Sequence, residues 1–187
     1  MKRKTNLILE DNEDRVRAFG SAVRQLGEEL RLKIWRNASS MVAECDEFLS
    51  DTALISLDHD LNPDHPGAAD PGTGLDVAKC LARLPSICPV ILHSSNAERV
   101  WSMHNEFRLA KWRVERVGPI GDDWISNSWV KVARSLLEEF SRNSSNYEKP
   151  IRTADHRDHF DRALLSLHGM AIGDGIGEMM FTRPEQA

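Results

Sequence analysis

The sequence predicts an α/β domain: a flavodoxin-like, doubly wound sheet of five parallel strands, with a C-terminal helical extension. Three observations predict it. Short apolar runs without alternation read as strands buried on both faces. Each is followed by a stretch whose apolar residues fall three or four apart, the mark of an amphipathic helix. This strand-and-helix unit recurs five times in about 140 residues, which favours a parallel sheet covered on both sides.

The elements follow in order. Thr5 to Leu9 is the first strand. Asn12 or Glu13 opens a helix whose apolar face is Val16, Phe19, Val23, Leu26 and Leu30. Leu32 to Trp35 is a weaker strand, and Ser39 or Ser40 caps a helix carrying Met41, Val42, Cys45, Phe48 and Leu49. Ala53 to Leu57 is the third strand. A Pro-, Gly- and Asp-rich loop from Asn62 to Gly72 precedes "TGLD", Thr73 to Asp76, which resembles a capping box and starts a helix through Leu84. Val90 to Leu92 is the fourth strand, Ala97 to Ala110 a helix, Trp112 to Val117 the fifth strand, and Trp129 to Phe140 the last helix of the domain. Ser141 to Pro150 is polar and breaks the helical pattern, so the domain is placed at 1–142, a linker at 143–154 and a tail at 155–187.

The totals exclude several classes. The chain has 187 residues and a net charge of -5, with no basic surplus to bind a nucleic-acid backbone. No apolar run reaches membrane-spanning length, and the apolar run after the basic start is too short for a signal peptide. Three cysteines, Cys45, Cys80 and Cys88, lack metal spacing and read as reduced thiols. A cytoplasmic protein is expected. The five tryptophans could serve core or interface, with core the expectation.

In such sheets ligands bind where the strands end. "LILED" ends the first strand in Glu10 and Asp11, "LISLDHD" ends the third in Asp58, His59 and Asp60, and "VILHSSN" ends the fourth in His93, Ser94, Ser95 and Asn96. Three polar clusters from separate chain regions therefore meet at one rim. Part of this has a plainer reading, since Asp11 and Asn96 are good caps for the helices that follow. The convergence of acids, two histidines and a Ser/Asn pair goes beyond that.

From Thr5 to Phe140 these motifs resemble the receiver domains of two-component response regulators. The resemblance implies that Glu10 and Asp11 bind magnesium, that Asp58 is a phosphoacceptor, and that Ser94 holds its phosphoryl group. Two departures stand out. Receivers keep a Lys before a Pro after the fifth strand, whereas "RVGPIG" has Gly118 before Pro119. His59 and His93 are additions.

"LDHDL", "GTGLDVAK" and "VILHSSN" together are more similar to cyclic-phosphate processing receiver-like domains. That resemblance implies a hydrolytic pocket for cyclic nucleotides or cyclic phosphate ends. Opening a cyclic phosphodiester needs a base for water and an acid for the leaving alkoxide, and two histidines can divide those roles. The expected assignment is His59 and His93 as acid and base, in either order, with Asp58 in the reacting centre. Glu10, Asp11, Asp58 and Asp60 would hold Mg2+ or Mn2+, with Asp60 alternatively orienting His59. Ser94 and Asn96 would hold phosphate oxygens, with Thr73 and Gly74 on the pocket wall. The expected partner is a small phosphate-containing ligand, a cyclic nucleotide foremost, and a homodimer is compatible. The alternatives are an atypical receiver phosphorylated on Asp58 and an interaction module with a dead pocket.

The tail "RALLSLHGMAIGDGIGEMMF", Arg162 to Phe181, resembles the first helix and Gly-Asp turn of ADP-ribosylglycohydrolases, with Glu178 as the candidate acid. It spans about thirty residues, too few for that family's core. A packing or dimer helix is the alternative.

Overall fold

The structure is a computed structural model that describes residues 4–63, 65 and 67–143. The linker and the glycohydrolase-like tail expected beyond Asn143 lie outside the described residues.

Five parallel strands form one sheet in the order β2-β1-β3-β4-β5. They are β1 (Thr5–Leu9), β2 (Arg31–Trp35), β3 (Thr52–Leu57), β4 (Val90–Leu92) and β5 (Val114–Arg116). Every residue of β1, β3 and β4 is buried, while the outer strands β2 and β5 are partly exposed. That gradient is why the central runs are mostly apolar and the edge runs are mixed. The flavodoxin-like order puts the ends of β1, β3 and β4 side by side.

The helices are α1 (Glu13–Leu26), α2 (Ala38–Glu44), α3 (Gly74–Leu81), α4 (Ala97–Leu109) and α5 (Val130–Asn143). Helices α1 and α5 pack together, and α2, α3 and α4 pack in sequence. Right-handed crossovers in this strand order carry the two groups to opposite faces. The core on the α1/α5 side joins Phe19, Val23, Ile8, Leu54, Ile91, Trp124, Trp129 and Leu136.

Several boundaries differ from the sequence reading, each for a local reason. Asn37, not Ser39 or Ser40, caps α2: its side chain accepts from the Ser40 amide at 2.8 Å. That helix then stops at Glu44, and Cys45 to Asp51 continues as two short 3-10 turns. Helix α1 ends at Leu26 with its carbonyl ladder closed by Gly27, so Leu30 packs on the core from the following turn. β5 is shorter than expected, because Trp112 turns its indole N–H to the Leu84 carbonyl at 3.1 Å rather than lying in the sheet. Helix α5 runs on to Asn143, past the expected end at Phe140.

The approach to α5 is also unexpected. Ile125–Trp129 forms a π-helical turn, in which the Trp129 amide donates to the Trp124 carbonyl at 2.8 Å. The wider turn brings Trp124 and Trp129 to the same side of the chain. Such turns recur at functional sites, and this one stands over the end of the sheet.

Candidate functional site

The strand ends do converge. Glu10 follows β1, with its amide tied to the Trp35 carbonyl at 3.0 Å. Asp58 follows β3, its amide on the Leu9 carbonyl at 3.0 Å, and His93 follows β4, its amide on the Leu57 carbonyl at 2.9 Å. The ladder therefore extends one residue beyond each strand and aims three side chains at one point. All three are buried, and their nearest ligand atoms lie within 4.8 Å of one another.

This cluster is short of partners. Glu10 Oε2 and His93 Nε2 are buried without a hydrogen bond and stand 3.4 Å apart. Buried polar atoms left unpaired are costly and mark a place where a ligand completes the structure. The two carboxylates, as hard oxygen donors, fit a divalent cation such as Mg2+ or Mn2+. Burial is the main influence on Asp58 and pushes its carboxyl above the ordinary carboxylate range. The Glu10 charge adds to that push. His93, the His59 amide and Arg15 pull the other way.

Arg15 is the residue the sequence reading missed. Its Nη1 donates to Asp58 Oδ2 at 3.1 Å and lies 3.6 Å from Glu10 Oε2, and its guanidinium lies over the Trp124 ring at 5.9 Å from the centroid. A sequence signal existed. An arginine in the first turn of a helix opposes the helix dipole and so asks for a nearby carboxylate.

The other expected residues are placed as follows. His59 is buried, and its Nδ1 lies 2.8 Å from Asp60 Oδ1. Its amide donates to Asp58 Oδ1 at 2.6 Å. An ionised carboxylate only accepts, so His59 carries its Nδ1 proton toward Asp60 and, when neutral, has its lone pair on Nε2. Asp11 and Asp60 stand outside the close cluster. The Asp11 carboxylate accepts both the amide and the side-chain N–H of Asn62 at 2.8 Å each, fastening the start of the long loop. Asp60 is in contact with His59 through its Oδ1.

Asn96 caps α4 by accepting from the Arg99 amide at 3.2 Å, and Ser94 Oγ accepts from the Asn96 amide at 3.3 Å. The plainer reading of Asn96 therefore holds, and Ser94 sits buried at the rim. Thr73 gives its amide to the Asp76 carboxylate at 2.8 Å, the bond a capping box predicts, and its hydroxyl to the same oxygen at 2.8 Å. Gly74 is pressed against the site: a Cβ there would lie 2.0 Å from the Asp58 carbonyl oxygen and 2.9 Å from Met103 Sδ. Its amide donates to the His59 carbonyl at 3.0 Å. Thr73 and Gly74 thus set the backbone of Asp58 and His59.

Behind the cluster is a polar chain inside the core. Ser56, the last residue but one of β3, has its Oγ 2.8 Å from His93 Nδ1 and 2.9 Å from Trp129 Nε1. Phe19 and Trp124 flank the imidazole, with ring centroids 5.1 and 5.6 Å away. The signal for Ser56 was a hydroxyl inside the run Ala53 to Leu57, which is otherwise apolar.

A five-stranded parallel sheet with acids after β1 and β3 and a serine after β4 defines a receiver domain. Within that class, residues 5–109, more than half of the chain, match the model of the family described as "Cyclic-phosphate processing Receiver domain". The chain belongs to this family. Solved structures similar to it include NtrX from Brucella abortus, at 17% identity and TM-score 0.55, over 78% of this chain and 30% of that one. A LuxR-family DNA-binding response regulator from Staphylococcus aureus matches at 15% identity and TM-score 0.53, over 72% of this chain and 98% of that one. The response regulator domain of Thermotoga maritima CheB matches at 13% identity and TM-score 0.51, over 73% and 98%. At these identities the likeness concerns the fold. No curated protein matches the sequence. Among the described residues, no helix is long and apolar enough to cross a membrane.

Proposed function

We propose that this domain binds a small cyclic phosphate, a cyclic nucleotide foremost, and opens it by metal-assisted hydrolysis. The observation that carries the reading is the buried cluster of Glu10, Asp58 and His93, with two of its facing atoms unpartnered. Glu10 and Asp58 would hold Mg2+ or Mn2+, which when bound supplies positive charge against the phosphoryl oxygens. Arg15 offers a second, fixed positive charge at the same place, with Ser94 at the rim to receive a phosphate oxygen.

The proton bookkeeping needs two groups. Water loses a proton as it attacks phosphorus, and the P–O bond to the ring alkoxide breaks. The alkoxide takes a proton, leaving a phosphomonoester and a free hydroxyl. His59 and His93 are the two histidines at this rim, and Asp60 orients the first of them. Reduced thiols at Cys45 and Cys80 suit a cytoplasmic setting.

A second reading has its own support. Asp58 ends β3 beside Glu10, as a phosphoacceptor would, and makes the domain an atypical receiver. The exposed Gly118 before Pro119, where receivers keep a Lys, weighs against ordinary switching.

The test is hydrolysis of a panel of cyclic mononucleotides, cyclic dinucleotides and 2′,3′-cyclic phosphates with Mg2+ or Mn2+. His59→Ala and His93→Ala are run beside the wild type. Turnover lost in both folded variants supports the enzyme. No turnover on any of them, with Asp58 labelled by acetyl phosphate, returns the domain to phosphorelay signalling.

A further inference from the structure

We propose that Trp129 and Ser56 are positioning residues that fix the tautomer of His93, with its proton on Nε2, so that His93 is the hydrogen-bond donor of the site and neither its base nor a cation ligand. This rests on the hydrolytic reading for its role, but not for its geometry.

The argument runs from both ends of the imidazole. At the inner end, an indole N–H only donates, so Ser56 Oγ accepts from Trp129 Nε1 at 2.9 Å. The serine keeps one hydrogen to give. Its other side-chain contact among the described residues is His93 Nδ1 at 2.8 Å. The hydroxyl therefore points at Nδ1, which must accept. At the outer end, Nε2 faces Glu10 Oε2 at 3.4 Å. A bare nitrogen lone pair facing a carboxylate oxygen is repulsive, and an N–H there is attractive. Both ends demand the same tautomer, with Nδ1 bare and Nε2 protonated.

The opposite tautomer would leave the Ser56 hydrogen without an acceptor inside the core. It would also set two lone pairs against each other in a buried pocket, and each fault is costly where water is excluded. Trp129 and Ser56 are fully buried, and Phe19 and Trp124 flank the ring, so the chain has little freedom to rearrange.

The consequence is a division of labour. His59 is set by Asp60 with its Nδ1 protonated and its Nε2 lone pair available, the state of a general base. His93 is set the other way. Its Nε2–H is presented to an oxygen that gains charge, such as the leaving alkoxide or a phosphoryl oxygen. The cation shell is then carried by Glu10 and Asp58. A histidine that ligates a metal through Nε2 usually donates from Nδ1 to its outer partner, the reverse of the direction imposed by Trp129.

The experiment is a long-range 15N–1H spectrum of the histidine-labelled protein at neutral pH, without and with Mg2+. The expected result is His93 protonated at Nε2, unchanged by Mg2+. Ser56→Ala is expected to abolish that preference and to lower kcat about 10- to 100-fold with little change in KM. Trp129→Phe is expected to shift the tautomer in the same direction. A wild-type His93 protonated at Nδ1, or an Nε2 that loses its proton when Mg2+ is added, overturns the proposal. So does an Ser56→Ala spectrum identical to the wild type. The wild-type spectrum decides even if Trp129→Phe fails to fold. It also decides in the absence of any turnover, an outcome that would count against the hydrolytic reading alone.

Discussion

His93 Nε2 and Glu10 Oε2 face each other across 3.4 Å with both side chains fully buried. Neither atom has a hydrogen-bond partner among the described residues. A carboxylate in such a place is stabilised by whatever positive charge reaches it: an N–H, the Arg15 guanidinium or a cation. Glu10→Gln keeps the shape and removes the charge. Calorimetric titration is expected to show Mn2+ binding weakened at least about tenfold, with the fold retained by circular dichroism. Unchanged affinity would place the cation elsewhere.

Asp58 is expected to make the stability of the protein depend on pH. Burial first, and Glu10 second, raise its carboxyl above its ordinary value of 3.8. Between the unfolded and folded values the native state holds the extra proton, so stability falls as pH rises through that window. The penalty is complete above the folded value. Asp58→Asn is therefore expected to raise the melting temperature of the metal-free protein by a few degrees at neutral pH. That gain should shrink as the pH is lowered toward 3.8. A gain that stays constant with pH would mean the carboxyl is not the cause.

Gly74 is a packing constraint on the site itself. The 2.0 Å approach to the Asp58 carbonyl leaves no room for a methyl group, and backbone cannot yield as a side chain can. Gly74→Ala is expected to cost about 3 kcal/mol of stability, at the upper end of overpacking costs. It should also displace Asp58 and His59, so ligand binding falls more than stability alone explains. Denaturant unfolding alongside Mn2+ titration would separate the two effects.

Burial lifts the Cys45 thiol to about 12 and the Cys80 thiol to about 11. Neither forms appreciable thiolate near neutral pH, and the thiolate is the nucleophile. Iodoacetamide at pH 8 is expected to leave both unmodified in the native protein and to label them in denaturant. Rapid native labelling of Cys45 would show that the 3-10 turns after α2 open readily.

The fold was legible because it depends on local patterns. The mostly apolar runs in β1, β3 and β4 read as buried strands, and the three-and-four spacing of Val16, Phe19 and Val23 reads as one helix face. The chain termini of these strands then identified Glu10, Asp58, His59 and His93 as neighbours. Where the reading slipped, a local competitor had equal claim: Asn37 against Ser39 for the α2 cap, and a π turn in place of a plain helix start at Trp129.

The sequence by itself determined the order of strands and helices, the sign of the charge at the rim, and the presence of two histidines there. Only the tertiary structure decided how those groups are divided. It turned Asp11 to Asn62 and Asp60 to His59, brought Arg15 onto Asp58, and joined Trp129 to Ser56 across 73 positions of chain. The reason is physical. Strand and helix are set by neighbours within a turn or two, whereas the direction of a buried hydrogen bond is set by whichever distant donor the packing delivers.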